Sequence, residues 1–415
     1  MNRGPAQLSL VFLFGLLLAA CANPDVIEDD GGSTGAGGGI AGAGGPAGAG
    51  GPAGAGGRGG STGAAGTGAA GTGAAGTGAG PPAACAFASG LNAAWVNFAN
   101  DVPNPNTTAF TTMFRNTQMA GGRIVRWWFH TNGTVTPGYN SGGMANPLSQ
   151  AAITGLTNLL NLANTNGVKL VISLWSFDML QGGQNISTAL RNNNRNLLMM
   201  DANRQAYIDN VLTPMVNAVK GNPGLYSWEI FNEPEGMTSQ HGWTGDNGGM
   251  EVDRMYIYRT INWLAAAIHT ADPQARVTSG AWTFQVSSTR NFSGGGHFYS
   301  NSSLVAAGGK PNGTMDFYEV HYYAANGSQF SPFLDGRNPT YWGLNDKRLV
   351  MGEFYARDTD GTAKNNLYTR LYDSGYNGAW GWQYTDGDAL VAWPSMQAPM
   401  QAVYNAHMTE VGNCR

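Results

Sequence analysis

Trp228-Glu229-Ile230-Phe231-Asn232-Glu233-Pro234 is an apolar run that ends in an amide, a carboxyl and a proline. An apolar run bounded by a helix-incompatible proline reads as a buried strand of a parallel sheet, with its polar residues at the carboxyl end. Working outward, runs of the same character recur at 91–98, 123–129 and 168–175 before it, and at 275–283, 316–323, 348–354 and 377–384 after it. Longer amphipathic stretches separate them. In 251–270, Ile257, Ile261, Leu264 and Ile268 fall on one helical face, and Ile153, Leu156, Leu160 and Ala163 do the same earlier. The stretch 206–219 is also helix-compatible, with Pro214 expected to kink or end a turn.

Eight strand–helix repeats are the number that closes a parallel barrel, so the expected fold is α/β, a (β/α)8 TIM barrel. A doubly wound open sheet is the rival, but no G-x-G-x-x-G follows the first strand. A barrel of this kind carries its chemistry at the carboxyl ends of the strands. Arg126-Trp127-Trp128, Trp175, Asn232-Glu233, Trp282, His321-Tyr322-Tyr323, Glu353 and Trp382 all fall at or near those ends.

The chain has 415 residues and a formal net charge of −4, from 22 Lys+Arg against 26 Asp+Glu. Charged residues make up only 12%. So few cations argue against binding nucleic acid, which needs clustered Lys and Arg to neutralise phosphates. Few charges with many aromatic and amide side chains suit a neutral, hydroxyl-rich ligand instead. Of the 62 glycines, the densest set lies between 31 and 80, among Ala, Thr and Pro. Such a segment has too little to bury to offset the entropy of ordering, so 21–84 is expected to be a disordered Gly/Ala/Thr-rich linker. About 60 residues of such coil reach on the order of 40 Å.

Ahead of the linker, Arg3 and the apolar run 8–18 form a secretory signal too short to span a bilayer. It ends in Leu18-Ala19-Ala20-Cys21, which resembles the lipobox of bacterial lipoproteins. That resemblance implies a signal peptide over 1–20, acylation of Cys21, and a place in the cell envelope, with outer-membrane sorting suggested by Ala22. Cys85 and Cys414 then remain at the two ends of the 85–415 domain. In an exported protein such a pair is most simply a disulfide.

Asn232-Glu233-Pro234 after the fourth strand, with Gly352-Glu353-Phe354 ending the seventh, resembles glycoside hydrolase family 5 and its clan of retaining barrel enzymes. The resemblance implies Glu233 as acid/base and Glu353 as nucleophile. It implies Arg126, at the end of the second strand, and Tyr323 as donors to Glu353, and His321 beside them. It also implies Asn232 at the sugar 2-hydroxyl and Trp382 as a stacking platform. Retaining hydrolysis needs two carboxyls about 5–5.5 Å apart, one attacking the anomeric carbon and one protonating the leaving oxygen. No metal or organic cofactor is required.

Each residue has a plainer reading. His321 can be a satisfied core histidine, and Trp382, like Trp127, Trp228 and Trp380, can be core packing. Glu229, four before Glu233, is expected to point into the barrel and pair with a buried base. Glu235, beyond the proline, is expected to face solvent or cap a helix. Trp175, Asp178, Trp282 and Trp95 are candidates for sugar subsites against core or loop packing. The third strand lacks the histidine that many family members place near its end, which leaves the substrate subfamily open.

The resulting expectation is a retaining endo-β-1,4-glycanase acting on a neutral β-linked polysaccharide, a mannanase before a cellulase. The chain is expected to be monomeric and to meet the membrane only through its lipid. The reading from another class is a non-catalytic cell-surface glycan-binding protein.

Overall fold

The computed structural model describes residues 85–183, 186–388 and 390–414. The signal and linker expected over 1–84, with Cys21, lie outside the described residues. Eight parallel strands close into a barrel in sequence order: β1 (Ala88–Asn92), β2 (Ile124–Thr131), β3 (Lys169–Ser176), β4 (Leu225–Asn232), β5 (Val277–Ala281), β6 (Phe317–His321), β7 (Arg348–Glu353) and β8 (Gly378–Gly381). Closure is made by β1 on β8, with Ala88 opposite Gly378 and Gly90 opposite Trp380. The barrel expectation holds.

The longest strands, β2, β3 and β4, are buried along almost their whole length. That is why they read as continuous apolar runs: both faces of a parallel sheet are covered. β1 differs from its expected position, starting at Ala88 and ending at Asn92. Its residues are small because its neighbours press close. A Cβ on Gly90 would stand 2.1 Å from the Ile124 carbonyl oxygen, and Tyr368 reaches in to donate to the Gly90 carbonyl at 2.7 Å. The bulkier residues 93–98, which carry the β signal in the sequence, instead cross the barrel mouth. Asp101 ties that crossing down by accepting from the backbone N–H of Val96 and Asn97 and from Trp127 Nε1.

The helices start where caps allow. The helix Arg254–Ala271 opens on Asp253, whose carboxylate accepts from Met255 N–H, and buries Ile257, Ile261, Leu264 and Ile268. The helix Gln150–Thr165 opens on Ser149 in the same way. At Pro214 the chain neither ends nor kinks sharply. It widens into a π-turn, Ile208–Leu212, before the helix Thr213–Val219. Proline cannot donate to the Asn210 carbonyl four residues back, and Leu148 N–H takes that carbonyl at 3.0 Å.

The amino-terminal end of the barrel is closed by a buried cluster of Ala88, Ile124, Val171, Tyr226, Phe317, Val350 and Trp380. Beside it Cys85 and Cys414 are disulfide-bonded, their Cα atoms 4.5 Å apart. The chain ends of the domain are therefore neighbours.

Candidate active site

At the other end, the site is organised by one guanidinium. Arg126 is fully buried. It is the third residue of β2 and not its last, a correction to the expected position, because β2 continues to Thr131 with every residue covered. Its depth lets it reach four strands. Nε and Nη2 donate to the two oxygens of Glu229, both at 2.6 Å. Nη2 also donates to Asn232 Oδ1 at 2.7 Å, and Nη1 donates to Asn92 Oδ1 at 2.8 Å and to Glu353 Oε1 at 2.5 Å. Glu229, expected to pair with a buried base, takes the bidentate position.

Glu353, the last residue of β7, accepts a second bond from the Tyr323 hydroxyl at 2.6 Å. Glu233 follows β4 in a left-handed conformation, φ +43°, which is strained for a residue with a Cβ. Pro234 behind it and a bond from Glu233 N–H to the Gly280 carbonyl hold it there. Its carboxyl meets His321 Nδ1 at 3.0 Å, and the same nitrogen lies 3.6 Å from Glu353 Oε1. Carboxyl oxygens of Glu233 and Glu353 lie within 4.8 Å of each other. That is the close spacing of a nucleophile–acid pair and leaves no room for the water that 6.5–9.5 Å pairs enclose.

The electrostatics separate the two carboxyls. Burial drives Glu233 far above the usual carboxyl range, and the nearby Glu353 and Glu235 push it further. Burial also raises Glu353, to about 7, but Arg126 and the Tyr323 hydroxyl pull against it. Glu353 therefore ionises first and Glu233 keeps its proton. His321 is neutral, since burial and Arg126 hold its pKa well below the ordinary value. Glu233, His321 and Glu353 are the one trio among the described residues whose ligating atoms could converge on a cation. Arg126, 2.5 Å from Glu353, already supplies the positive charge there.

Aromatic rings wall the mouth on two sides. Trp95, Trp128 and Trp382 pack edge-on or tilted, with centroids 5.2, 5.7 and 6.1 Å apart, and Trp382 and Trp95 keep partly exposed faces. Across the site, Trp243 lies between Phe177 and Trp282 at 5.3 and 5.4 Å. Trp175 does not join either wall. It is 1% exposed and stacks on His130 at 4.7 Å and against Tyr207, so its faces are used in packing, a correction to its subsite candidacy. Asp178 is buried and bonded to Ser176 Oγ, which also accepts from Asn232 Nδ2, so it supports Asn232.

Glu235 is the third correction. It is 1% exposed, accepting from the Tyr299 hydroxyl at 2.5 Å and from Trp282 N–H at 3.1 Å. The 3-10 turn Pro234–Met237 folds it back beneath the Trp282 segment instead of out to solvent. Sequence reasoning missed Asn92, which also donates to the Gly352 and Trp380 carbonyls. An amide ending a correctly placed β1 would have revealed it. Trp243 and Glu319 were missed too, and nothing in their local pattern separates them from packing residues.

The family model for cellulase (glycosyl hydrolase family 5) matches residues 86–388. The chain belongs to glycosyl hydrolase family 5. As a family member it is 35% identical over 340 residues to the mannan endo-1,4-beta-mannosidase of Cryptopygus antarcticus, covering 76% of this chain and 85% of that one. It is 32% identical over 328 residues to the enzyme of the same name from Mytilus edulis, covering 72% and 84%. Among solved structures, the beta-mannanase of the blue mussel Mytilus edulis superposes with a TM-score of 0.67 at 30% identity, covering 76% of this chain and 91% of that one. The beta-1,4-D-mannanase of Cryptopygus antarcticus gives 0.66 at 32%, covering 76% and 90%. This family 5 protein is a glycoside hydrolase.

Proposed function

We propose that the protein is a retaining endo-β-1,4-mannanase in which Glu353 is the nucleophile and Glu233 the acid/base. The observation that carries the mechanism is the pair of carboxyls within 4.8 Å, with both donors on one of them. Glu353, held ionised by Arg126 and Tyr323, attacks the anomeric carbon. Protonated Glu233 gives its proton to the glycosidic oxygen as the C–O bond breaks. Glu233, now a carboxylate, draws a proton from water, which displaces Glu353 and restores both groups. Two inversions leave the anomeric configuration unchanged. Asn232, steadied by Arg126 and Ser176, is positioned to bond the sugar 2-hydroxyl, an interaction that strengthens as the ring gains oxocarbenium character. The partly exposed tryptophans stack on the apolar faces of sugar rings.

Mannan as the substrate is supported by relatives of 32–35% identity that are named mannan endo-1,4-beta-mannosidase. Reducing-sugar release from mannan, carboxymethylcellulose, xylan and mixed-linkage glucan tests it. Release from mannan first, with the β-anomer as the initial product by NMR, is the expected result. Release from carboxymethylcellulose alone would make the protein a cellulase, and binding without release from any of these would make it a glycan-binding protein. The same reading places the enzyme on a lipid anchor at Cys21, supported by Leu18-Ala19-Ala20-Cys21. Labelled palmitate should enter the wild type and not Cys21→Ser, and equal labelling of the two would remove the anchor.

A further inference from the structure

Glu319 is a carboxyl for which the double displacement has no use. It is the third residue of β6, its side chain fully buried, and neither of its oxygens has a hydrogen-bond partner. The charged and titratable groups facing it come from four strands. Arg126 Nε of β2 is 3.1 Å from Glu319 Oε1, Glu229 of β4 and Glu353 of β7 share the same guanidinium, and His321 of β6 lies above. His321 Nε2 is buried, has no partner, and stands 3.7 Å from the same Oε1. Two glycines keep this contact clear. A Cβ on Gly352 would be 2.5 Å from Glu319 Oε1, and a Cβ on Gly280 would be 2.8 Å from His321 Nε2.

Charge counting fixes the state of Glu319. Arg126 supplies one positive charge, and Glu229 and ionised Glu353 already oppose it at 2.5–2.6 Å. A third buried carboxylate would have no counter-charge, so Glu319 carries a proton. A hydroxyl at Oε1 can donate to a bare Nε2, whereas a carboxylate cannot donate. Neutral imidazole holds one proton, and with Nε2 accepting, that proton sits on Nδ1 and points at Glu233 Oε1.

We propose that Glu319 is a positioning residue: its carboxyl hydroxyl donates to Nε2 of His321, fixes the Nδ1–H form of that ring, and so keeps the transferable proton of Glu233 on Oε2. If His321 carried its proton on Nε2, bare Nδ1 would instead accept the Glu233 proton and hold it away from the glycosidic oxygen. At 3.7 Å Glu319 Oε1 and His321 Nε2 face one another, and neither atom has another hydrogen-bond partner. The inference rests on the acid/base reading of Glu233, but the ring tautomer is observable without substrate.

The test is the long-range 1H–15N spectrum of the whole protein labelled at its six histidines, with His321 assigned by the signal lost in His321→Gln. The wild type should show a protonated Nδ1 and a bare Nε2. Glu319→Leu should mix the tautomers and lower kcat at least tenfold with little change in KM, a loss below the ~10²–10⁴ that general acid catalysis supplies. Glu319→Gln, whose amide can still donate, should restore the tautomer and recover activity relative to Glu319→Leu. A wild-type ring protonated on Nε2 would overturn the proposal even if no Glu319 variant folds. So would a rate loss in Glu319→Leu with the tautomer unchanged. A correct tautomer in a protein that cleaves no glycan would instead count against the hydrolase reading alone.

Discussion

Ile124 and Arg126 are two residues apart on β2, and Phe317 and Glu319 are two apart on β6. In each pair the first lies in the apolar floor of the barrel and the second in its charged mouth. β7 divides in the same way but over three residues, from Val350 to Glu353, where its register with β6 shifts. The floor is rings and aliphatic groups with one internal polar bond, Trp380 Nε1 to the Ala88 carbonyl. The mouth gathers Glu229, Glu319 and Glu353 around one guanidinium. Burying apolar groups favours folding, whereas crowding carboxyls in a dry pocket opposes it. The same strands therefore carry stability at one end and reactivity at the other, and substitutions at the two ends should fail in different assays.

Glu353→Ala is the largest expected effect and the hardest test of that division. Turnover should fall at least about 10⁴-fold, and added azide should restore part of it with inverted product stereochemistry. The thermal midpoint should hold or rise, because one member of a crowded acidic set has been removed. A large drop in midpoint with turnover retained would show that the mouth, too, is built for stability. At the floor, Trp380→Ala should do the reverse. Emptying that buried ring site should cost roughly 3–5 kcal/mol of stability, read by chemical denaturation, with kcat of the folded fraction close to wild type. A kcat loss approaching that of Glu353→Ala would mean the two ends are mechanically coupled.

The division also explains what was legible in the sequence. β4 stands where its apolar run placed it, and all eight strands were found in order, because strands buried on both faces leave continuous apolar signatures. β1 slid toward bulkier residues because its own are small for a reason that lies in β2 and β8, outside any local window. The Glu233–Glu353 pair was legible because a carboxyl at the end of an apolar strand is a local exception that demands a reason. Glu235 and Trp175 were misplaced because neither the return of a 3-10 turn nor the ring a tryptophan stacks on is written in the residues beside it. Glu319 passed unnoticed for a related cause. Its meaning depends on Arg126 and His321, and only strand register brings those three together.

The smallest effect gives the sharpest contrast, since it compares the loss of one hydroxyl from each kind of environment. Tyr323→Phe removes a donor that favours ionised Glu353. The nucleophile works deprotonated, so activity falls as pH drops through its pKa. Losing the donor raises that pKa, and the acid limb of kcat/KM should move up by about one pH unit, equivalent to about 1.4 kcal/mol, with little change in unfolding. The alkaline limb, set by Glu233 losing its proton, should stay where it is. Tyr368→Phe removes a hydroxyl that bridges the Gly90 carbonyl of β1 and the Gly381 N–H of β8. Two buried backbone groups lose their partner, so stability should fall by about 1–3 kcal/mol while both pH limbs stay in place. A shifted acid limb in Tyr368→Phe would show that barrel closure, and not the local donors alone, tunes the nucleophile.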